Sequence, residues 1–254
     1  MQNTVLQVIH SHRSVRSYRP DPLPVSLVET IIAASQHTSS SSNMQAYSVI
    51  AITDAARRQR LSELCGNQKH IAEAPLFLAW CADLARLDRA CRLRGYTQVT
   101  ENMESFLVTA LDAAITAQTA AIAAESLGLG ICYIGSIRND PQAVIDLLKL
   151  PRWVFPVVGM TVGYPQGETP LKPRLGLEAV LHWEAYNPNQ DEALLRYDRE
   201  MAATGIYDNR QVLVPGRPDQ VEQYGWLEHT ARRVSKSVRL GLREVLEKQG
   251  FALK

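Results

Sequence analysis

The chain has 254 residues, 46% of them hydrophobic, and carries 27 basic against 26 acidic side chains. That much apolar matter can bury one large core without staples, while the near-neutral balance and the lack of a basic stripe with interleaved aromatics exclude a nucleic-acid partner. Cys65, Cys81, Cys91 and Cys132 follow neither a CxxC pair nor a zinc-ligand spacing, so they predict free thiols in a reducing cytoplasm and no metal. MQNTVLQVIHSHRS lacks the basic start, long apolar centre and cleavage site of a signal peptide, again pointing to the cytoplasm.

In chain order, HRSVR (12–16) sets Arg13 and Arg16 three residues apart, on one helix face or flanking a turn, with Ser14 adding a hydroxyl donor toward an anion. The plainer alternative is a helix C-terminus whose cations complement the macrodipole. VSLVETIIAASQ (25–36) has helical periodicity, and HTSSSSN (37–43) follows it with four hydroxyls, too polar for a core and too short for a linker. AYSVIAIT (46–53) and APLFLAWCA (74–82) read as buried strands, with Phe77 and Trp80 as core residues. Between them lie a helix, TDAARRQRLSEL (53–64), behind a Thr or Asp cap, and GNQKH (66–70), an amide and a cation behind a flexible glycine.

The run from Phe106 to Gly130 is long and alanine-rich, but Asp112, Gln118 and Glu125 interrupt it and its side chains are small. A buried central helix is therefore expected rather than a membrane span, with a partner subunit able to supply part of its cover. CYIGSIRN (132–139) ends a strand-like run in a small-residue turn, DPQAVIDLLKL (140–150) is a helix with an Asp cap and a first-turn proline, and FPVVGMTVG (155–163) is a third strand. LKPRL (171–175) brings Lys172 and Arg174 to one side of an extended segment. DEALLRYDREMAA (191–203) reads as an exposed helix, 205–225 as a mobile loop or arm, and HTARRVSKSVRLGLREVLEKQG (229–250) as one basic amphipathic helix. Strands separated by helices indicate a layered sheet. His37 and His70 are expected to act as structural or cofactor-adjacent hydrogen-bonders, and Asp112 and Glu125 to bond neighbouring helices or a partner chain. No Ser/His/Asp constellation, Walker loop or GxGxxG is present.

HRSVR, SSSSN, GNQKH, AAESLGLGICYIGSIRN and LKPRL together resemble, in order and spacing, the oxygen-insensitive NADPH-nitroreductase and flavin reductase family, specifically its NADPH-preferring bacterial group. The resemblance runs from His12 to about Tyr186 and resumes in the C-terminal helix. It implies an α+β, nitroreductase-like fold with a central, mainly antiparallel sheet flanked by helices, in an intertwined homodimer with FMN at the interface. One domain would cover 1–254, with 187–230 as a helical and loop excursion and 231–254 as a C-terminal helix.

By the same resemblance His12, Arg13 and Ser14 hold the FMN phosphate from one side and Lys172 and Arg174 from the other, with Val15, His70 and Pro173 also counted as cofactor-binding. Arg16, Gln68 and Lys69 lie toward the pyrimidine edge, where Arg16 would favour the negative charge that two-electron reduction leaves on the ring. Ser40, with Ser39 or Ser42 as alternatives, reaches the cofactor from the partner subunit. Tyr133, Ile134, Gly135 and Ser136 line the ring, although Ser136 replaces the glycine more usual there. Arg210 and Arg217 are expected at the 2′-phosphate of NADPH, on a loop lengthened by VLVPG. No side chain is cast as the catalyst, because the flavin carries the chemistry. The implied activity is ping-pong transfer of two electrons from NADPH to nitroaromatics, quinones or free flavin. The alternatives are a flavin-binding storage or sensory protein, and a specialised reductase such as a reductive dehalogenase with 205–225 as its lid.

Overall fold

The structure, a computed structural model, describes residues 3–100, 102–214 and 217–254. Asn3 opens α1 (Thr4–His10) by accepting from the amides of Val5 and Leu6 on its side chain. α2 (Val25–Ser35) follows Pro24, and a short 3-10 turn at Ser41–Asn43 leads into β1 (Tyr47–Ile52). Asp54 caps α3 (Ala55–Leu64) by accepting from the Arg57 amide; α4 (Lys69–Glu73), β2 (Leu76–Asp83) and α5 (Ala85–Leu93) come next. Leu84, the residue just before α5, gives no side-chain cap, but Asp83 accepts from the Arg86 amide at 3.1 Å. α6 (Met103–Ser126) is followed by β3 (Gly130–Ile134), a 3-10 turn at Gly135–Arg138, α7 (Pro141–Leu148) behind the Asp140 cap, and β4 (Val154–Gly163). The remainder comprises α8 (Asp191–Ala202), β5 (Gln211–Val214), β6 (Arg217–Gln223), α9 (Trp226–Val234) and α10 (Leu242–Lys248).

The main sheet runs β1-β2-β4-β3 with every neighbouring pair antiparallel. β2 is buried along its whole length, which is why its sequence is an unbroken apolar run instead of an alternation. Phe77 packs over Gly159 of β4, where a Cβ would lie 2.3 Å from the ring, so this pairing needs the glycine. α6 lays Ala113, Ala117, Ala120, Ala121 and Ala124 on Leu76, Leu78 and Trp80, and their small side chains permit the close approach. At the far end Phe106, Phe155 and Phe251 meet edge to face with centroids 5.6 to 6.5 Å apart.

Within the chain α6 is covered on one side only, which leaves open the part of the cover expected from a partner subunit. Met103, Leu107, Leu111 and Ile115, spaced at i, i+4, are 45 to 50% exposed. Among the described residues α6 is the one helix long and apolar enough to cross a membrane, by length and composition alone. Its Asp112 is nevertheless only 2% exposed and bonded within the protein.

The chain divides into two compact units, residues 1–169 with 239–254, and residues 170–238. These boundaries differ from the expected excursion over 187–230, and the expected single closing helix is two helices, α9 and α10. The break between them contains Arg239 in the left-handed region, at φ 55°. In the second unit α8 buries Ala193, Tyr197 and Met201, and Tyr197 and Met201 cluster with Tyr207, so this helix is not the exposed one expected. The stretch 205–225 is not a loop either: β5 and β6 pair antiparallel with Leu213 opposite Val221. Leu213 and Val221 are both exposed, so among the described residues no buried apolar face marks this hairpin amid its glycine, proline and polar content. Pro215 and Gly216 of the VLVPG insertion lie outside the described residues.

Candidate functional site

HRSVR does not continue a helix. α1 ends at His10, and the following segment runs extended beside β3, with Ser14 bridged in parallel to Ile131 and the Val15 amide donating to the Ile131 carbonyl at 2.8 Å. The shared helix face expected for Arg13 and Arg16 is thereby overturned. Val15 sits so close to β3 that a Cβ on Gly130 would lie 2.6 Å from its Cγ2. Tyr18, which sequence reasoning missed, pins the segment: its buried hydroxyl donates to the Val15 carbonyl at 2.7 Å and meets Thr161 Oγ1 at 2.8 Å. Burial raises its phenol well above the ordinary range.

The charged groups of this segment differ in how well they are matched. His12 Nδ1 lies 2.7 Å from Glu125 Oε1, and since a carboxylate accepts, Nδ1 donates and Nε2 is left for another partner. Arg13 makes one long bond, 3.3 Å to the Thr169 carbonyl, and Arg16 one of 3.5 Å to the Ser14 carbonyl. Neither forms an ion pair among the described residues.

β3 is an edge strand. Because the Ile131 carbonyl faces outward to Val15, the two-residue alternation turns the backbone of Tyr133 to the same open edge. Ile134 is buried, and the Tyr133 hydroxyl donates to Gln118 Oε1 at 3.2 Å. The turn that follows, Gly135–Arg138, is tied to the GNQKH segment through Gln68 Nε2, 2.5 Å from Ser136 Oγ. Lys69 is exposed and pairs with Glu73 at 2.7 Å. His70 is buried, its Nε2 has no hydrogen-bond partner among the described residues, and burial followed by the charge of Arg16 lowers its imidazole below the usual value. His12 to Arg16, Gln68 to His70 and Tyr133 to Ser136 are thus knit into one cluster along the open β3 edge.

The serine run is organised separately. Asp112 accepts from the amides of Ser41 at 3.0 Å and Ala46 at 3.1 Å, clamping both ends of the loop onto α6. Within it Ser42, Asn43 and Gln45 all take positive φ, and Ser40 Oγ accepts from the Gln45 amide at 3.2 Å. Asp112 thus bonds a loop, not the helix or partner chain expected of it.

Lys172 and Arg174 are exposed residues of the second unit, flanking Pro173, whose carbonyl accepts from Tyr197 Oη at 3.2 Å. Arg210 lies over the Tyr224 ring, 6.0 Å from its centroid, just before β5, and Arg217 begins β6.

Among the described residues the open edge of this antiparallel sheet gathers two guanidinium groups without an ion pair and a buried imidazole nitrogen without a hydrogen bond, a class of α+β protein with a cationic strand edge. The chain belongs to the nitroreductase family: residues 9–164 match the model of that name and residues 172–254 match the model of its C-terminal domain. It is 41% identical to a Bacillus subtilis protein named FMN reductase [NAD(P)H], over 98% of each chain. With the oxygen-insensitive NADPH nitroreductase of Salmonella typhimurium it shares 38% identity over 97% of this chain and 98% of that one. The solved structure of B. megaterium NfrA2 superposes with a TM-score of 0.91 at 38% identity, covering all of both chains.

Proposed function

We propose that the protein is an FMN-dependent reductase that takes two electrons from NADPH and delivers them as a pair, by a ping-pong route, to flat acceptors such as nitroaromatics, quinones or free flavin. The observation that carries this is the cluster along the β3 edge, where, among the described residues, Arg13 and Arg16 form no ion pair and the buried Nε2 of His70 has no hydrogen bond. For the buried His70 nitrogen an unmade hydrogen bond costs roughly 1 to 3 kcal/mol, which a ligand would offset, while the exposed Arg13 and Arg16 offer charge to phosphate oxygens and ring acceptors. FMN fits that set, and when bound it supplies the chemistry by accepting hydride at N5 and passing both electrons on.

Arg13, Ser14 and the free Nε2 of His12 hold the phosphate, with Lys172 and Arg174 assigned to the same group. Glu125 orients the His12 ring for that contact. Arg16 and His70 serve the polar edge of the ring, Tyr133 and Gly135 meet it with backbone groups at the open edge, and Arg210 and Arg217 select the 2′-phosphate of NADPH. Names of relatives that pair FMN with NAD(P)H and NADPH with nitro compounds support this reading.

The working form is a homodimer in the cytoplasm. The uncovered stripe of Met103, Leu107, Leu111 and Ile115 supports it, as does a serine loop stiffened so that Ser40 can serve the partner's cofactor. Both units of the chain act as one functional domain. The test is a visible spectrum of the purified protein, an anaerobic titration with NADPH and with NADH, and sedimentation. The expected results are a flavin spectrum, bleaching with preference for NADPH, and about twice the 28.3 kDa chain mass. A flavin that neither nucleotide bleaches would replace the reductase with a flavin-binding protein lacking turnover.

A further inference from the structure

The turn that ends β3 carries a serine whose hydroxyl is placed to fix an amide. Gln68 Nε2 lies 2.8 Å from the Cys65 carbonyl and 2.5 Å from Ser136 Oγ. A carbonyl oxygen can only accept, so the atom facing it must be the nitrogen, and chemistry decides which way the amide is turned. An amide nitrogen has two hydrogens, and here both are engaged. Ser62 Oγ donates to the Gln68 carbonyl at 2.9 Å, so backbone and side chain of Gln68 are both tethered. Gln68 Oε1 accepts no hydrogen bond among the described residues, and the side chain is only half-buried.

We infer that Ser136 is a positioning residue that locks Gln68 with its oxygen presented, so that this corner of the site reads a hydrogen-bond donor. The inference rests on the FMN reading above. The oxidised flavin ring has a single N–H, at N3, and its remaining polar ring atoms accept. An amide free to turn would serve the ring carbonyls with its NH2 group equally well; one whose nitrogen is held at both hydrogens serves N3–H. Ser136 thereby makes recognition of that edge selective instead of merely polar, a role glycine at the same position cannot fill.

The test uses apo protein titrated with FMN and with N3-methyl-FMN, followed by quenching of flavin fluorescence, in the wild type and in Ser136→Ala, Ser136→Thr and Gln68→Ala. The wild type should prefer FMN by about tenfold or more, the scale of one lost hydrogen bond. Ser136→Ala and Gln68→Ala should lose most of that preference, and Ser136→Thr, which keeps the hydroxyl, should retain it. Equal affinity of the wild type for the two flavins, or full preference in Ser136→Ala, overturns the inference and leaves the cofactor reading standing. Binding of neither flavin overturns both. Thermal melting of each apo variant identifies one that has not folded; should Ser136→Ala melt early, Gln68→Ala against Ser136→Thr decides the matter.

Discussion

Two polar regions on either side of the sheet treat their hydrogen bonds in opposite ways. At the serine loop a buried carboxylate, Asp112, is matched by two backbone amides, and three non-glycine residues held at positive φ complete a conformation set from within. Along the β3 edge two guanidinium groups have only long contacts to carbonyls, and a buried imidazole nitrogen has no partner among the described residues. On the proposed function the difference separates groups that shape the protein from groups offered to the cofactor: the first should respond to substitution in stability, the second in affinity.

The largest expected effect tests the matched side. Asp112→Ala strands the amides of Ser41 and Ala46, and urea denaturation of the apo protein should show a loss of about 3 kcal/mol, from roughly 1 to 3 kcal/mol per unsatisfied group. A loss below about 0.5 kcal/mol would mean the loop finds other partners and the contrast fails. Arg13→Ala tests the unmatched side. FMN affinity should fall by about 1.5 to 3 kcal/mol, the scale of a charge-assisted bond, with apo stability unchanged. A stability loss comparable to that of Asp112→Ala would move Arg13 into the structural class.

Arg210→Ala with Arg217→Ala carries the affinity test to the hairpin of the second unit. The double change should raise KM for NADPH by about tenfold to a hundredfold while barely altering KM for NADH. Retained preference for NADPH would remove these arginines from the nucleotide.

The smallest effect concerns His70. Its folded pKa lies below the unfolded value of about 6.5 because of burial, then Arg16, so the unfolded chain binds more protons just below that pH. Its contribution to apo stability is therefore complete above about pH 6.5 and fades as the pH falls toward the lowered value. His70→Phe should flatten that slope, and an unchanged pH profile would show that His70 is not held neutral by the fold.

Much of this was legible in the chain itself. The three strands at 46–53, 74–82 and 155–163 and the helices at 25–36, 53–64 and 140–150 sit where apolar runs, periodicity and the caps Asp54 and Asp140 place them. The five polar segments marked the family, and with it FMN and NADPH. The hairpin at 211–223 was hidden because the exposed Leu213 and Val221 lie among glycine, proline and charged residues, and the two closing helices read as one because both are basic and amphipathic.

By itself the sequence determined which residues are apolar at which spacing, and hence the elements, since the 3.6-residue and 2-residue periods act over neighbouring positions. It also determined which residues carry charge near both ends of the site. Only the tertiary structure decided which of those polar groups are spent. That Glu125 takes His12, Asp112 takes the serine loop, and Ser136 takes the nitrogen of Gln68, while Arg13 and Arg16 form no ion pair among the described residues, depends on contacts between positions up to 156 residues apart. A hydrogen bond requires a few ångströms and a direction, and over such separations neither is fixed until the sheet and α6 have packed.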